Sequence, residues 1–475
     1  MVHYRIRIML TFVAVAVAII WFSTLVDRPA PETTAPATDQ VVQDYSFSAT
    51  GIISIVHSDT IGLADADVYT FLTNDNGDII ELADDVSPIY NGRAVRISGT
   101  WVDADPTRTD DHPIVDVQSL HSLQSYDASD DAVAGNEQWV NIACRFGDMP
   151  DETPQPREYF ENIMLNEQPG MDHYWRQTSG GMVDIEGSAA YGWYNLPNDK
   201  AYYARAASLN IGIALQMLMR HCTDAAIEQD GVDLKQFGGI NVMLNDKFGC
   251  CAWGGRMALP IDGENVSFRT TWLPPWAFNS LHVIAHEMGH GWGLPHSSGP
   301  YGQTYDSAWD VMSGGTRMMD FCRVGTEAVG CHQVGTIGFH LDMLGWIPEG
   351  RVVTVAPGTS ATVTLDALTT LRSGTDSLLI NVPIDRSRNF YTVEVRAFVA
   401  YDRNVPGEAV VLHEVEPGRA SPAFVVDADN NGNPNDEGAM WRPGETFEDR
   451  SNGIRIEVLD RLGTTFTVRV SNMDS

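Results

Sequence analysis

The stretch His286-Glu287-Met288-Gly289-His290-Gly291-Trp292-Gly293-Leu294-Pro295-His296 constrains this 475-residue chain more than any other part of it. On a helix, residues four apart share a face, so His286 and His290 point the same way, one turn apart. Two imidazoles at that spacing suit one tetrahedral zinc ion. Glu287 lies beside the first of them, where a carboxylate reaches the open side of the metal. Gly293 is free to adopt positive φ and Pro295 bars further helix, so the chain is expected to stop there and turn back. His296 then follows as a third ligand. The fourth position is left to water and substrate, which marks a catalytic site and not a structural one. The chemistry expected is hydrolysis of peptide bonds by a zinc endopeptidase, with Glu287 as the general base. It takes a proton from the zinc-bound water and passes it to the leaving amine.

The spacing His286-Glu287-x-x-His290-x-x-Gly293-x-x-His296 resembles the metzincin zinc signature. That resemblance implies a methionine turn under the zinc, and Trp309-Asp310-Val311-Met312-Ser313-Gly314 is the matching segment, with Met312 as its methionine. Within the clan the chain is most similar to the gametolysin-like and immune-inhibitor-A-like secreted proteases. The likeness is carried by Tyr174-Trp175-Arg176-Gln177-Thr178-Ser179-Gly180-Gly181, Gly192-Trp193-Tyr194-Asn195-Leu196-Pro197, Leu344-Gly345-Trp346-Ile347 and two C-terminal segments beginning at Tyr391 and Trp441. Immune-inhibitor-A-like enzymes usually place Asp where His296 stands, which favours the gametolysin-like branch. No tyrosine stands two residues after Met312, so the tyrosine ligand of some metzincins has no candidate at that place. The fold implied is an α+β metzincin-like catalytic domain. Around it, short strand patterns suggest a small OB-like all-β domain on the N-terminal side and an all-β sandwich on the C-terminal side.

The chain divides accordingly. Residues 1–27 carry the uncharged run Ile8 to Val26 behind Arg5 and Arg7, long enough to span a bilayer with the N-terminus inside. This reads as an uncleaved anchor or a cleaved signal peptide. Either places the catalytic part outside the cytoplasm, attached to the membrane in the first case and secreted in the second. Residues 28–42 form a Pro/Thr-rich linker, 43–125 the small β domain, 134–350 the catalytic domain and 351–475 the sandwich. A single helix is expected from about Tyr202 to Ile227, and another from Asn279 or Ser280 to Trp292.

Lys+Arg number 30 against Asp+Glu 63, a formal net charge of −33, which argues against a nucleic-acid partner. The expected partner is a protein or peptide substrate. The cysteines are Cys144, Cys222, Cys250, Cys251, Cys322 and Cys331, and their spacing fits no zinc ribbon. Disulfides are expected, with Cys322–Cys331 the first pair to look for. No cysteine precedes Cys144, so a cysteine cannot hold the site inactive from the N-terminal side; an aspartate from 43–125 could block the zinc instead. Asp427, Asp429, Asn431 and Asn433 alternate as at the start of a calcium loop, though Gly438 stands where the closing Glu belongs. Two other functions fit the sequence: a surface adhesin that keeps a zinc site, and a hydrolase acting on a non-peptide amide.

Overall fold

The computed structural model describes residues 46–60, 66–83, 86–102, 114–123, 133–313, 316–384 and 388–473. The apolar run Ile8 to Val26 and the linker after it lie outside them. Among the described residues no helix is long and apolar enough to cross a membrane.

Five strands open the fold: β1 (Ser46–Asp59), β2 (Ala66–Asn74), β3 (Ile79–Leu82), β4 (Ala94–Val102) and β5 (Ile114–Ser122). They pair in the order β2-β3-β5-β4-β1, and a further β1–β2 pairing closes them into a barrel. Ile53, Ile55, Leu72, Ile80, Val95, Ile97 and Val115 fill its interior. Strand β1 is longer than the barrel needs. Its last four residues, Val56 to Asp59, leave the β4 pairing and lie antiparallel against Gly255 to Ala252.

That second pairing joins the barrel to the middle of the chain. There β6 (Trp139–Arg145), β7 (Ala189–Asn195), β8 (Gly239–Leu244), β9 (Ala252–Ile261) and β10 (Glu264–Leu273) continue one ten-stranded sheet in the order β1-β9-β10-β8-β6-β7. β6 and β8 are parallel and buried on both faces, so they read as continuous apolar runs. Successive side chains still go to opposite faces. Val140, Ile142, Ile240 and Val242 pack with Leu215, Leu218 and Cys222 of a helix on one side, while Trp139 and Met243 pack with Met288 and Trp292 of another.

The expected helix from Tyr202 to Ile227 is two helices, α1 (Lys200–Leu209) and α2 (Ile211–Asp230). Asn210 has extended φ and ψ, and its side chain accepts from the Ile213 amide, which caps α2 and ends α1. The disulfide Cys144–Cys222 pins α2 to β6, and Cys250–Cys251 and Cys322–Cys331 also form.

On the C-terminal side, β11 (Val352–Thr354), β13 (Leu379–Pro383), β14 (Phe390–Arg396), β15 (Ala409–Val415) and β16 (Ala423–Val425) form one sheet. β12 (Thr359–Leu365), β17 (Thr446–Asp449), β18 (Ile454–Leu462) and β19 (Thr465–Asn472) form another. Val393, Val395 and Leu412 meet Leu365, Val458 and Val468 in a common core. The first sheet gains a sixth strand from far upstream, Ser297–Ser298, directly after His296.

The expectation of an α+β metzincin-like catalytic domain is therefore corrected. The chain is mostly β, with 38% in strands and 22% in helix, a closed five-stranded barrel and several sheets. The reason is physical: β1 runs out of the barrel into the middle sheet, and Ser297–Ser298 runs out of the middle region into the C-terminal one. Strand pairing links the parts that the sequence suggests are separate.

Candidate metal centre

The helix α3 (Leu281–Trp292) carries the motif and is buried along its whole length. Ser280 precedes it, and Gly293 ends it at φ 100°, a conformation open to glycine at no steric cost. The chain then turns back as the spacing requires. The three Nε2 atoms converge: His290 to His286 is 3.1 Å, His290 to His296 is 3.1 Å and His286 to His296 is 3.3 Å.

Those separations suit a common metal. Ligand nitrogens at tetrahedral-zinc bond lengths lie about 3.3 Å apart. The other ring nitrogens fix the tautomers. His286 Nδ1 meets the Val311 carbonyl at 2.8 Å and His290 Nδ1 meets the Leu294 carbonyl at 2.8 Å, so each donates there and its Nε2 lone pair faces inward. Burial lowers the His290 pKa to about 3, which keeps that ring neutral. Lone pairs crowded together in a dry site call for a cation between them. A buried cluster of Asp59, His286, His290 and His296 that can hold a metal ion is thus present.

Asp59 is the unexpected member. It ends β1, and its carboxylate lies across the three rings: Oδ1 is 2.8 Å from His296 Nε2, and Oδ2 is 3.2 Å from His290 Nε2 and 3.7 Å from His286 Nε2. Burial disfavours its charge, but His296 leads the neighbours that outweigh this and hold its pKa well below the ordinary range. The Tyr305 hydroxyl donates to Asp59 Oδ1, and His57 stacks on His290 with ring centres 3.9 Å apart. Sequence spacing offered no tyrosine because it looked downstream of Met312. Tyr305 comes in from upstream, at positive φ of 59°, and nothing local marks it.

Glu287 lies beside this cluster with both carboxyl oxygens buried and no nitrogen or hydroxyl donor paired with them. Burial raises its pKa well above the usual range, and Asp59 adds to that, both by its charge and by a hydrogen bond to the Glu287 carboxyl. Gly254 lets strand β9 approach it, since a Cβ there would come within 2.3 Å of the Glu287 carbonyl oxygen and 2.8 Å of its Oε2.

Met312 is fully buried beneath the helix, its Sδ 2.4 Å from where a Cβ on Gly289 would stand. Asp310, two residues earlier, ties the supporting loop together. It accepts from Ser297 Oγ at 2.6 Å and Thr336 Oγ1 at 2.8 Å, and pairs with His340 at 2.9 Å. His340 leads these contacts in holding its pKa below the ordinary range against burial. Asp310 therefore steadies both the residue after His296 and the carbonyl that orients His286. His282 is buried and 6.4 Å from His286 between ring centres, outside the converging set.

Of the four residues read as a calcium loop, Asp427 and Asp429 converge, joined by Asp436. The side-chain oxygens of Asn431 and Asn433 serve the backbone of the loop. Asn431 Oδ1 accepts from the Asn433 amide at 2.8 Å and Asn433 Oδ1 from the Asn435 amide at 3.3 Å, as in successive Asx turns.

Compared with protein-family models, curated proteins and solved structures, the chain matches none.

Proposed function

We propose that the chain is a zinc-dependent endopeptidase held in a latent form, with a protein or peptide as its substrate. The observation that carries the reading is the meeting of three inward-facing imidazoles with a buried Glu287 whose carboxyl is raised in pKa beside Asp59. A packing role for three histidines leaves no use for two acids kept dry at their side. His286, His290 and His296 would hold the ion, which when bound polarises the scissile carbonyl and lowers the pKa of water toward neutrality. Glu287 takes the proton of the attacking water and delivers it to the leaving amine. Tyr305, freed from Asp59, donates to the oxygen on which charge develops. Met312 and Asp310 keep the floor under these groups in place.

The latency follows from access. Asp59, His286 and Glu287 are 0% exposed, His290 1% and His296 4%, so no polypeptide reaches them while β1 is in place. The residues Val56 to Asp59 also use the hydrogen-bonding edge of β9 that an extended peptide would need. The three disulfides support an oxidising, extracytoplasmic setting, whether the chain is anchored there or secreted.

The test is digestion of an unfolded protein by the chain after β1 has been released, with and without a zinc chelator. The expected result is cleavage that stops with the chelator and returns with added zinc. Cleavage indifferent to the chelator, or none under any condition, would overturn the reading; in the second case the adhesin and the non-peptide amide hydrolase stand in its place.

A further inference from the structure

A second group of acids stands apart from the three histidines. Asp427, Asp429 and Asp436 each offer a carboxylate oxygen, and these oxygens lie within 4.8 Å of one another. Among the described residues no lysine or arginine pairs with them; Arg442, close by in sequence, pairs with Glu437 instead. Close carboxylates alone prove little, because solvated acidic turns are common.

Asp427 is different. It is 6% exposed, and the Tyr301 hydroxyl donates to its Oδ2, while its Oδ1 is buried with no hydrogen-bond partner. That orphan oxygen faces its neighbours. A Cβ built on Gly438 would stand 2.1 Å from Asp427 Oδ1 and 2.8 Å from Asp429 Oδ1, so both oxygens border one space. Asn431 Nδ2 donates to Asp429 at 3.0 Å and to Asp436 at 2.9 Å, and Asn433 Nδ2 to Asp436 at 3.0 Å, which holds the two outer carboxylates in line. A buried carboxylate oxygen with no donor is costly unless something positive meets it.

We infer that Asp427, Asp429 and Asp436 bind a divalent cation, and that the cation is calcium. The donors are all oxygens, the set that calcium takes and zinc does not favour. The zinc reading plays no part in this inference. The cation's work is mechanical. The loop that carries the acids clamps the segment leading to Met312: Ala308 N donates to Asn435 Oδ1 at 2.6 Å, Asn435 Nδ2 to the Asp306 carbonyl at 2.6 Å and Trp309 Nε1 to the Pro434 carbonyl at 3.0 Å. Neutralising the acids fixes that clamp.

The experiment uses the full chain, stripped of metals and then given calcium alone, magnesium alone or zinc alone. Calcium at millimolar concentration should raise Tm by roughly 2–5 °C, with little effect from magnesium. Terbium, a calcium substitute, should show emission sensitised by Tyr301. Asp429→Asn, at an exposed position, and Asp436→Asn should each fold, lose the calcium shift and lose the terbium signal. The inference is overturned if calcium leaves Tm unchanged and terbium stays dark, or if both variants keep the full response. A zinc-induced shift that disappears in Asp429→Asn and Asp436→Asn while calcium gives none would overturn the choice of calcium.

Discussion

Glu287→Gln is expected to retain one bound zinc and to lose hydrolysis by on the order of 10³-fold, within the range that general-base removal costs. The amide has the same shape as the carboxyl group, and its N–H can take over the hydrogen bond that Glu287 makes to Asp59. The exchange therefore removes the proton acceptor without emptying a fully buried site. The measurements are kcat on a peptide substrate after release of β1, and zinc content by atomic emission. The same loss with zinc gone would mean that Glu287 shapes the site. Near-full activity with zinc present would remove it from the mechanism.

The second large effect concerns Asp59. While the barrel is covalently attached, β1 competes for the cleft at the millimolar effective concentration typical of a short tether. Cutting the chain between Leu123 and Val133 and diluting should release the barrel, and activity should rise by at least about tenfold by the same effective-concentration argument. Asp59→Ala in the uncut chain should give part of that rise, because it removes the carboxylate facing His290 and His296 at 3.2 and 2.8 Å. It leaves His57 stacked on His290, so the cleft stays partly filled. Gel filtration reports departure of the barrel independently of activity. An uncut chain as active as the cut one would refute the latency. So would a barrel that leaves without any gain in binding of a small hydroxamate to the site.

How far the sequence led depended on distance along the chain. The convergence of His286, His290 and His296 was legible because helix periodicity and the stop at Gly293 are local rules, and both act within three turns. Asp59 was not, beyond the general thought of an aspartate from the N-terminal side. One of 63 acidic residues carries no mark until a strand pairing brings it to the metal centre. Tyr305 was missed for the same reason, since its place comes from a strained turn and not from spacing.

The fold class failed where strands cross between regions. One signal was there to be used: Asp262-Gly263, between two alternating runs, is a strong hairpin pair. Both residues have positive φ, 52° and 85°, and they join β9 to β10. Reading that hairpin would have moved the middle region toward β. The extension of β1 onto β9 had no such cue. In the C-terminal loop, alternation of Asp and Asn named Asp427 and Asp429, and with them Asn431 and Asn433, whose oxygens each accept a backbone amide. Asp436 entered only through the folding back of the loop.

The central claim is that His286, His290 and His296 share one zinc ion. X-ray absorption at the zinc edge of the purified full chain tests it most directly, with metal content measured alongside. The account predicts one zinc per chain, three imidazole nitrogens at about 2.0–2.1 Å and a carboxylate oxygen from Asp59 that disappears in Asp59→Ala. A chain that takes up no zinc, or zinc whose surroundings are unchanged when His296 is replaced by Ala, would contradict it.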